Sequence, residues 1–156
     1  MLRADWYFII PASVVFVGCL GVAVWDFVVL QGAVFRLGFL NVAGLVLFVA
    51  GVCLRVVSKR TLAKSYSYVL GATKPKELVK RGVYGFVRHP IYLALILYGF
   101  GAPLVFASVY GLIVSLGFVP CVLYRIRLEE ELLIREFGEK YIEYKKHTKK
   151  LIPYVY

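Results

Sequence analysis

The stretch IYLALILYGFGAPLVFASVYGLIVSLGFVPCVLY, residues 91–124, carries no charged side chain and decides the fold class of this chain. A helix needs about 20 apolar residues to cross the hydrocarbon core of a bilayer, so this stretch is longer than one span requires. Gly99, Gly101 and Pro103 interrupt it before its middle. We therefore expect two tight or tilted spans that form a helical hairpin.

Two further apolar runs precede this hairpin. In residues 6–30 the only side chain charged at neutral pH is Asp26, and a second run covers residues 37–57. The first run exceeds the ~7–15 apolar residues of a cleaved signal peptide, so we expect a retained anchor. In the second run, Gly44 and Gly51 are spaced to let another helix approach closely. The predicted fold class is all-α: a polytopic helical membrane protein with about four transmembrane helices and a C-terminal cytoplasmic helix.

The composition and the position of the charges support a membrane location. The 156 residues are 61% hydrophobic and 18% charged, with a mean hydropathy of +0.78, which is unlike an ordinary soluble domain. Lys and Arg collect in two blocks, nine in residues 55–88 and eight from residue 125 onward. The positive-inside rule places both blocks, both termini and the active site in the cytoplasm. Topology and anionic headgroups thus explain the net charge of +10 without a nucleic-acid partner.

The residue types available for chemistry exclude several kinds of site. Only two histidines are present, and neither belongs to a His-x-x-x-His or Cys-x-x-Cys spacing, so no metal site is expected. Gly99-Phe100-Gly101 lacks the third glycine of a dinucleotide fingerprint and does not follow a strand. The change in composition predicts membrane anchor helices in residues 1–57 and a part that holds the chemistry in residues 58–156, within one domain.

The stretch LVKRGVYGFVRHPIY, residues 78–92, is the first that carries a specific chemical signal. The residue before a proline is pushed to extended geometry and proline is favoured at the first helical position, so His89 should stand near the N-cap of the helix that Pro90 opens. Free N–H groups at that helix start favour an anion, and Tyr84 and Tyr92 add aromatic faces or hydroxyls nearby. The alternative is that this basic stretch only anchors the chain to lipid phosphates at the interface.

The stretch YRIRLEEELL is the second such signal, and it continues the last apolar run as a helix. Arg125 and Glu129 are four residues apart and share a helix face. Arg127 pairs equally well with Glu130 or Glu131 around the other side. These charges form either a solvated helix with weak salt bridges or a ligand site, in which a carboxylate binds a cationic group and a guanidinium binds an anionic one.

Further residues extend the two signals into one ordered set. Its members are Gly82-Val83-Tyr84, Arg88-His89-Pro90-x-Tyr92, Glu129-Glu130, Phe137-Gly138, Tyr141, Tyr144 and Leu151-Ile152-Pro153. In this order and spacing the set resembles the isoprenylcysteine carboxyl methyltransferase family, over the chain from about Leu78 to its end. The wider superfamily includes phospholipid N-methyltransferases with a similar signature. Ala94 is one departure, because glycine commonly follows the Tyr-Leu pair in the family.

The resemblance implies an integral membrane methyltransferase that uses S-adenosylmethionine without a Rossmann domain. It implies that Glu129 holds the amino group of this cofactor, with Glu130 beside it. It also implies that Arg125 faces the methyl acceptor, with Arg127 as the alternative residue in that role. The other residues implied to line the cofactor pocket are Lys76, Glu77, Leu78, Val79, Tyr84, His89, Pro90, Ile91 and Tyr92.

The chemistry of methyl transfer agrees with this set of residues. Transfer from a sulfonium is an in-line displacement, so the protein must chiefly position donor and acceptor. We expect carboxyl methylation of an isoprenylcysteine-like acceptor whose apolar tail enters from the bilayer among the membrane lipids. The alternatives are a phospholipid N-methyltransferase, an NADPH-dependent enzyme of the sterol-reductase type and a non-enzymatic membrane scaffold.

Overall fold

The described part of the chain is helical, as the sequence predicts. The computed structural model describes residue 14 and residues 16–32, 38–66 and 78–152. The start of the first predicted span, Lys76 and Glu77 lie outside these described residues. The helices in chain order are α1 (Phe16–Leu30, whose last turn is the π-helical segment Asp26–Leu30), α2 (Phe39–Tyr66), a short 3-10 helix (Gly82–Gly85), α3 (Pro90–Val105), α4 (Val109–Phe137) and α5 (Glu139–His147).

Two of the helices are long and apolar enough to cross a membrane. They are Phe39–Leu62 within α2 and the whole of α4. Only 17% and 22% of the residues in their most apolar windows are buried inside the protein, whereas a core helix of a soluble protein is mostly buried. Helices α1 and α3 are apolar but shorter in the described residues. Four transmembrane helices therefore stay a prediction.

Helices α2 and α3 pack closely because glycines lie where they meet. A Cβ atom built on Gly44 would lie 2.5 Å from the backbone N of Val105, and one on Gly51 would lie 2.7 Å from the backbone of α3. From the other side, a Cβ on Gly101 would lie 2.5 Å from the backbone N of Phe48. Real side chains do not fit at such distances. The predicted close approach of another helix to the second apolar run is confirmed.

The predicted hairpin is present, but its turn comes later than the glycines and proline suggest. Helix α3 continues through Pro103 and ends at Val105, and α4 begins at Val109. The Ser108 hydroxyl caps α4 by accepting a hydrogen bond from the N–H of Gly111, and it donates to the buried carboxylate of Asp26 at 2.5 Å. Gly101, which packs against α2, thus lies inside α3. Ser108, whose hydroxyl caps the helix, marks the start of α4.

The segment after α5 returns to the segment that precedes α3. Gly138 has a φ of 55°, a left-handed conformation that ends α4 and lets the chain enter α5 in a new direction. Val87 and Lys149 then form an isolated parallel β-bridge. The N–H of Arg88 donates to the carbonyl of Lys149 at 2.8 Å. This pairing holds the segment after α5 beside residues 78–92 at one end of the helices.

Substitution of Gly101 by alanine should weaken the packing of α2 on α3. The added methyl group meets backbone atoms of Phe48 that have no flexible end to move aside, so we expect Gly101→Ala to lower the free energy of unfolding by about 1–3 kcal/mol. Gly99→Ala is the matched control in the same helix, because nothing lies within 4 Å of its Cβ position. Thermal unfolding of both variants in detergent micelles measures the difference. Equal midpoints for the two variants would contradict a glycine-dependent contact.

Candidate functional site

A cavity at this end of the protein gathers most of the residues that the sequence singles out. It contains about 810 Å³ of space free of atoms, including its open mouth. Its walls come from the end of α2, the segment before α3, the first turn of α3, the last turns of α4 and one side of α5. The lining residues are Leu62, Leu78, Val79, Tyr84, Arg88, His89, Pro90, Ile91, Tyr92, Glu129, Leu133, Phe137, Tyr141 and Tyr144.

The predicted and the observed lining residues overlap without being identical. Among the predicted cofactor residues, Glu130 does not line the cavity, and Lys76 and Glu77 lie outside the described residues. Neither candidate catalytic arginine, Arg125 or Arg127, is a lining residue. The lining residues to which sequence reasoning gave no role in the cofactor pocket are Leu62, Arg88, Leu133, Phe137, Tyr141 and Tyr144. Phe137 and both α5 tyrosines belong to the motif set, whereas Leu62 carries no signal in the sequence.

The start of α3 has the predicted order of residues, but the backbone of His89 is not extended (φ −124°, ψ 57°) and its side chain makes no capping hydrogen bond. Pro90 is at the first helical position and His89 is the N-cap residue. The His89 carbonyl accepts hydrogen bonds from the N–H groups of Tyr92 and Leu93, each at 3.1 Å. The imidazole of His89 is buried, with Nε2 3.4 Å from the Oε1 atom of Glu130. The proline thus fixes the direction of the backbone and the histidine ring points to an acidic partner.

Glu130 joins three segments instead of lining the cavity. Its Oε1 atom accepts a hydrogen bond from the Nε–H of Arg88 at 3.0 Å, and its Oε2 atom lies 3.4 Å from the Nζ atom of Lys145. The Arg88 guanidinium also donates to the carbonyls of Lys145, at 3.2 Å, and of Thr148. Both side chains of the Arg88–Glu130 pair are under 10% exposed. Glu130, which helix spacing would pair with Arg127, therefore pairs with Arg88 and Lys145 instead, because the segment before α3 and α5 both pack beside it.

Tyr92 connects the cavity to one of the two candidate arginines. Its hydroxyl is within hydrogen-bonding reach of the side chains of both Glu129 and Arg125. Arg125 is half-buried, whereas Arg127 is exposed on another side of α4. Of the two arginines, Arg125 is therefore the one that lies beside a lining residue of the cavity.

Helix α5 closes one side of the cavity with aromatic side chains. The Tyr144 hydroxyl donates to the backbone carbonyl of Tyr84 at 2.5 Å, and burial raises the pKa of Tyr144 to about 12. It therefore stays protonated at neutral pH and keeps α5 against the 3-10 helix. Tyr141 is only 1% exposed, and burial followed by the negative charge of Glu130 raises its pKa above the ordinary value. Both tyrosine hydroxyls are neutral under physiological conditions.

The arrangement suits a ligand that combines a cationic group with a flat apolar group. Glu129 supplies one carboxylate at the cavity wall, and tyrosine faces add favourable contacts for a cation. Leu62, Leu133 and Phe137 supply apolar surface for an aromatic ring. Within the residues that the structure describes, no cluster of three His, Cys, Asp or Glu side chains is arranged to hold a metal ion.

Comparison with known proteins identifies relatives of this chain. The protein-S-isoprenylcysteine O-methyltransferase of Saccharomyces cerevisiae is 34% identical over 119 residues, which are 74% of this chain and 49% of the yeast protein. The human protein of the same name is 33% identical over 125 residues, which are 77% of this chain and 43% of the human protein. Methanethiol S-methyltransferase 1 of Bradyrhizobium diazoefficiens is 40% identical over 78 residues, which are 46% of this chain and 25% of that protein.

A family profile gives the broader assignment. The chain spans about half the length of the yeast relative, and less of the human one. The profile described as "Phospholipid methyltransferase" matches residues 39–140. This match runs from the first residue of α2 into α5, so it includes the packed pair α2 and α3 and most of the cavity wall. The chain belongs to the phospholipid methyltransferase family.

Proposed function

We propose that this chain is an integral membrane methyltransferase that transfers a methyl group from S-adenosylmethionine to a lipophilic acceptor. The observation that carries the proposal is the cavity in which Tyr84, His89, Tyr92 and Glu129 lie together at one end of the apolar helices. The family membership and the printed names of the relatives support methyl transfer as the reaction. The carboxylate and the aromatic side chains of the cavity fit this cofactor.

Each wall of the cavity has a role in holding the cofactor. Glu129 pairs with its ammonium group, and the faces of Tyr84 and Tyr92 stabilise a sulfonium by cation–π interaction. The apolar side chains of Leu133 and Phe137 contact the adenine. When bound, S-adenosylmethionine supplies a methyl group that is activated by the positive charge on sulfur. The protein needs no strong acid or base for this step, since positioning of donor and acceptor is worth roughly 7–11 kcal/mol in itself.

The acceptor is a prenylated cysteine whose free carboxylate is oriented by Arg125. A guanidinium binds a carboxylate through two parallel hydrogen bonds, and Arg125 is next to Tyr92 at the cavity. A second, apolar pocket lies between α1, α3 and α4 and is lined by Leu95 and Ile96, one helical turn beyond Tyr92. Its apolar lining marks the side from which we expect an apolar tail to approach out of the bilayer. The family description favours a phospholipid amine as the alternative acceptor.

Cofactor binding is the first test of this proposal. S-adenosylhomocysteine, titrated calorimetrically into the purified protein, should bind in the micromolar range, and NADPH should bind far more weakly. Glu129→Gln should weaken S-adenosylhomocysteine binding roughly ten- to a hundredfold, because a charge-assisted contact of ~1.5–3 kcal/mol is lost. Glu131→Gln is the control, since Glu131 is an exposed carboxylate two residues away.

The outcomes of this titration separate the possible functions. Tighter binding of NADPH than of S-adenosylhomocysteine would favour a reductase. The absence of binding by both would favour a scaffold. Equal effects of the Glu129 and Glu131 substitutions would contradict the role of Glu129.

Turnover separates the two arginines. With a farnesylated cysteine that carries a free carboxylate, Arg125→Ala should lower kcat/KM roughly ten- to a hundredfold and leave S-adenosylhomocysteine affinity unchanged. Arg127→Ala should change kcat/KM by less than about threefold, because surface charges contribute little. Steady-state methylation assays with radiolabelled cofactor measure both values. Loss of turnover only in the Arg127 variant would assign the acceptor role to Arg127.

The active site faces the cytoplasm, together with both termini of the chain. This part of the proposal rests on the two blocks of basic residues and on the positive-inside rule. Reporter domains fused after Tyr156 and inserted within residues 59–76 should both be found in the cytoplasm. Reporters on opposite sides of the membrane would mean that the number of spans in residues 91–124 is not two, and both reporters outside the cytoplasm would contradict the orientation.

A further inference from the structure

The side chain of Tyr141 has an unusual position in the cavity wall. It is 1% exposed, it lines the cavity, and its hydroxyl has no hydrogen-bond partner among the residues that the structure describes. A buried hydroxyl without a partner is costly, and native proteins rarely keep one. Its neighbour Tyr144 differs, since the Tyr144 hydroxyl is bonded to the carbonyl of Tyr84. The Tyr141 hydroxyl is therefore a buried donor of the cavity wall that lacks an acceptor among the described residues.

The charges around this hydroxyl indicate which part of a ligand it meets. The groups that act on it electrostatically include the carboxylates of Glu130 and Glu129 and the guanidinium of Arg88. The apolar lining residues, such as Leu133 and Phe137, belong to the last turns of α4. A charged amino-acid group suits surroundings that contain both carboxylates and a guanidinium, whereas an adenine ring suits apolar surface.

We propose that the Tyr141 hydroxyl binds the amino-acid end of S-adenosylmethionine, beside Glu129. This inference rests on the proposed function and adds a residue from α5 to the cofactor site. The hydroxyl hydrogen-bonds to the polar end of the cofactor and so fixes the direction in which the sulfonium points. Tyr141 is a binding residue in this role, and the cofactor in turn satisfies its buried hydroxyl.

Tyr141→Phe tests the inference, because it removes only the hydroxyl and keeps the buried ring. Calorimetric titration with S-adenosylhomocysteine should show roughly two- to tenfold weaker binding, the usual effect of one neutral hydrogen bond. Titration with 5′-methylthioadenosine, which lacks the amino-acid end, should give the affinity of the unsubstituted protein. The unfolding midpoint of the ligand-free variant should be unchanged or higher, because an unsatisfied buried hydroxyl has been removed. Tyr124→Phe, at an exposed tyrosine of α4, is the matched control.

Each of the other possible results contradicts one part of this proposal. Unchanged S-adenosylhomocysteine affinity in Tyr141→Phe would overturn the role of the hydroxyl, with the proposed function intact. Equal weakening for both ligands would place the contact on the nucleoside and overturn the assignment to the amino-acid end. A lowered midpoint without ligand would indicate a structural role instead. Failure of the unsubstituted protein to bind S-adenosylhomocysteine would overturn the proposed function as well.

Discussion

The candidate site depends on the buried ion pair between Arg88 and Glu130. The Nε and Oε1 atoms are 3.0 Å apart, and the two side chains are 8% and 9% exposed. Breaking such a pair leaves a charge buried without compensation, which costs about 3–5 kcal/mol. Arg88 precedes α3 and Glu130 belongs to α4, while the carbonyls that complete the guanidinium's contacts, on Lys145 and Thr148, are at the end of α5. The three segments therefore form the cavity wall together, because the charges of Arg88 and Glu130 are buried only where all three meet.

The position of this wall follows from the packing of the apolar helices. Gly44, Gly51 and Gly101 let α2 and α3 approach until backbone meets backbone, which fixes the end of α2 next to the start of α3. Ala94, where the family commonly has glycine, is fully buried against α2, and a Cβ on Gly51 would lie 2.9 Å from its carbonyl. The glycine that this contact between α2 and α3 requires is thus Gly51 of α2 and not residue 94 of α3. A cavity with a charged side and an apolar side results at the boundary between the apolar helices and the basic segments.

The sequence alone determined the features that depend on local chemistry. Long uncharged runs predict helices, glycines in those runs predict close packing, and a proline after His89 predicts a helix start. All three predictions are confirmed in the residues that the structure describes, because hydropathy, side-chain volume and backbone restriction act within one or two turns of a helix. The resemblance to a methyltransferase family was also carried by spaced residues, and the family assignment agrees with it.

Only the tertiary structure decided which polar residues face the cavity. Adjacent glutamates look alike in sequence, yet Glu129 lines the cavity while Glu130 is enclosed by Arg88 and Lys145. The turn of the hairpin likewise ends at Ser108, which caps α4 and is hydrogen-bonded to Asp26, 82 residues earlier in the chain. Helix periodicity determines which residues share a helix face, but it does not determine which other segment packs against that face. Burial and pairing depend on segments far apart in the chain, so they are settled only when those segments pack.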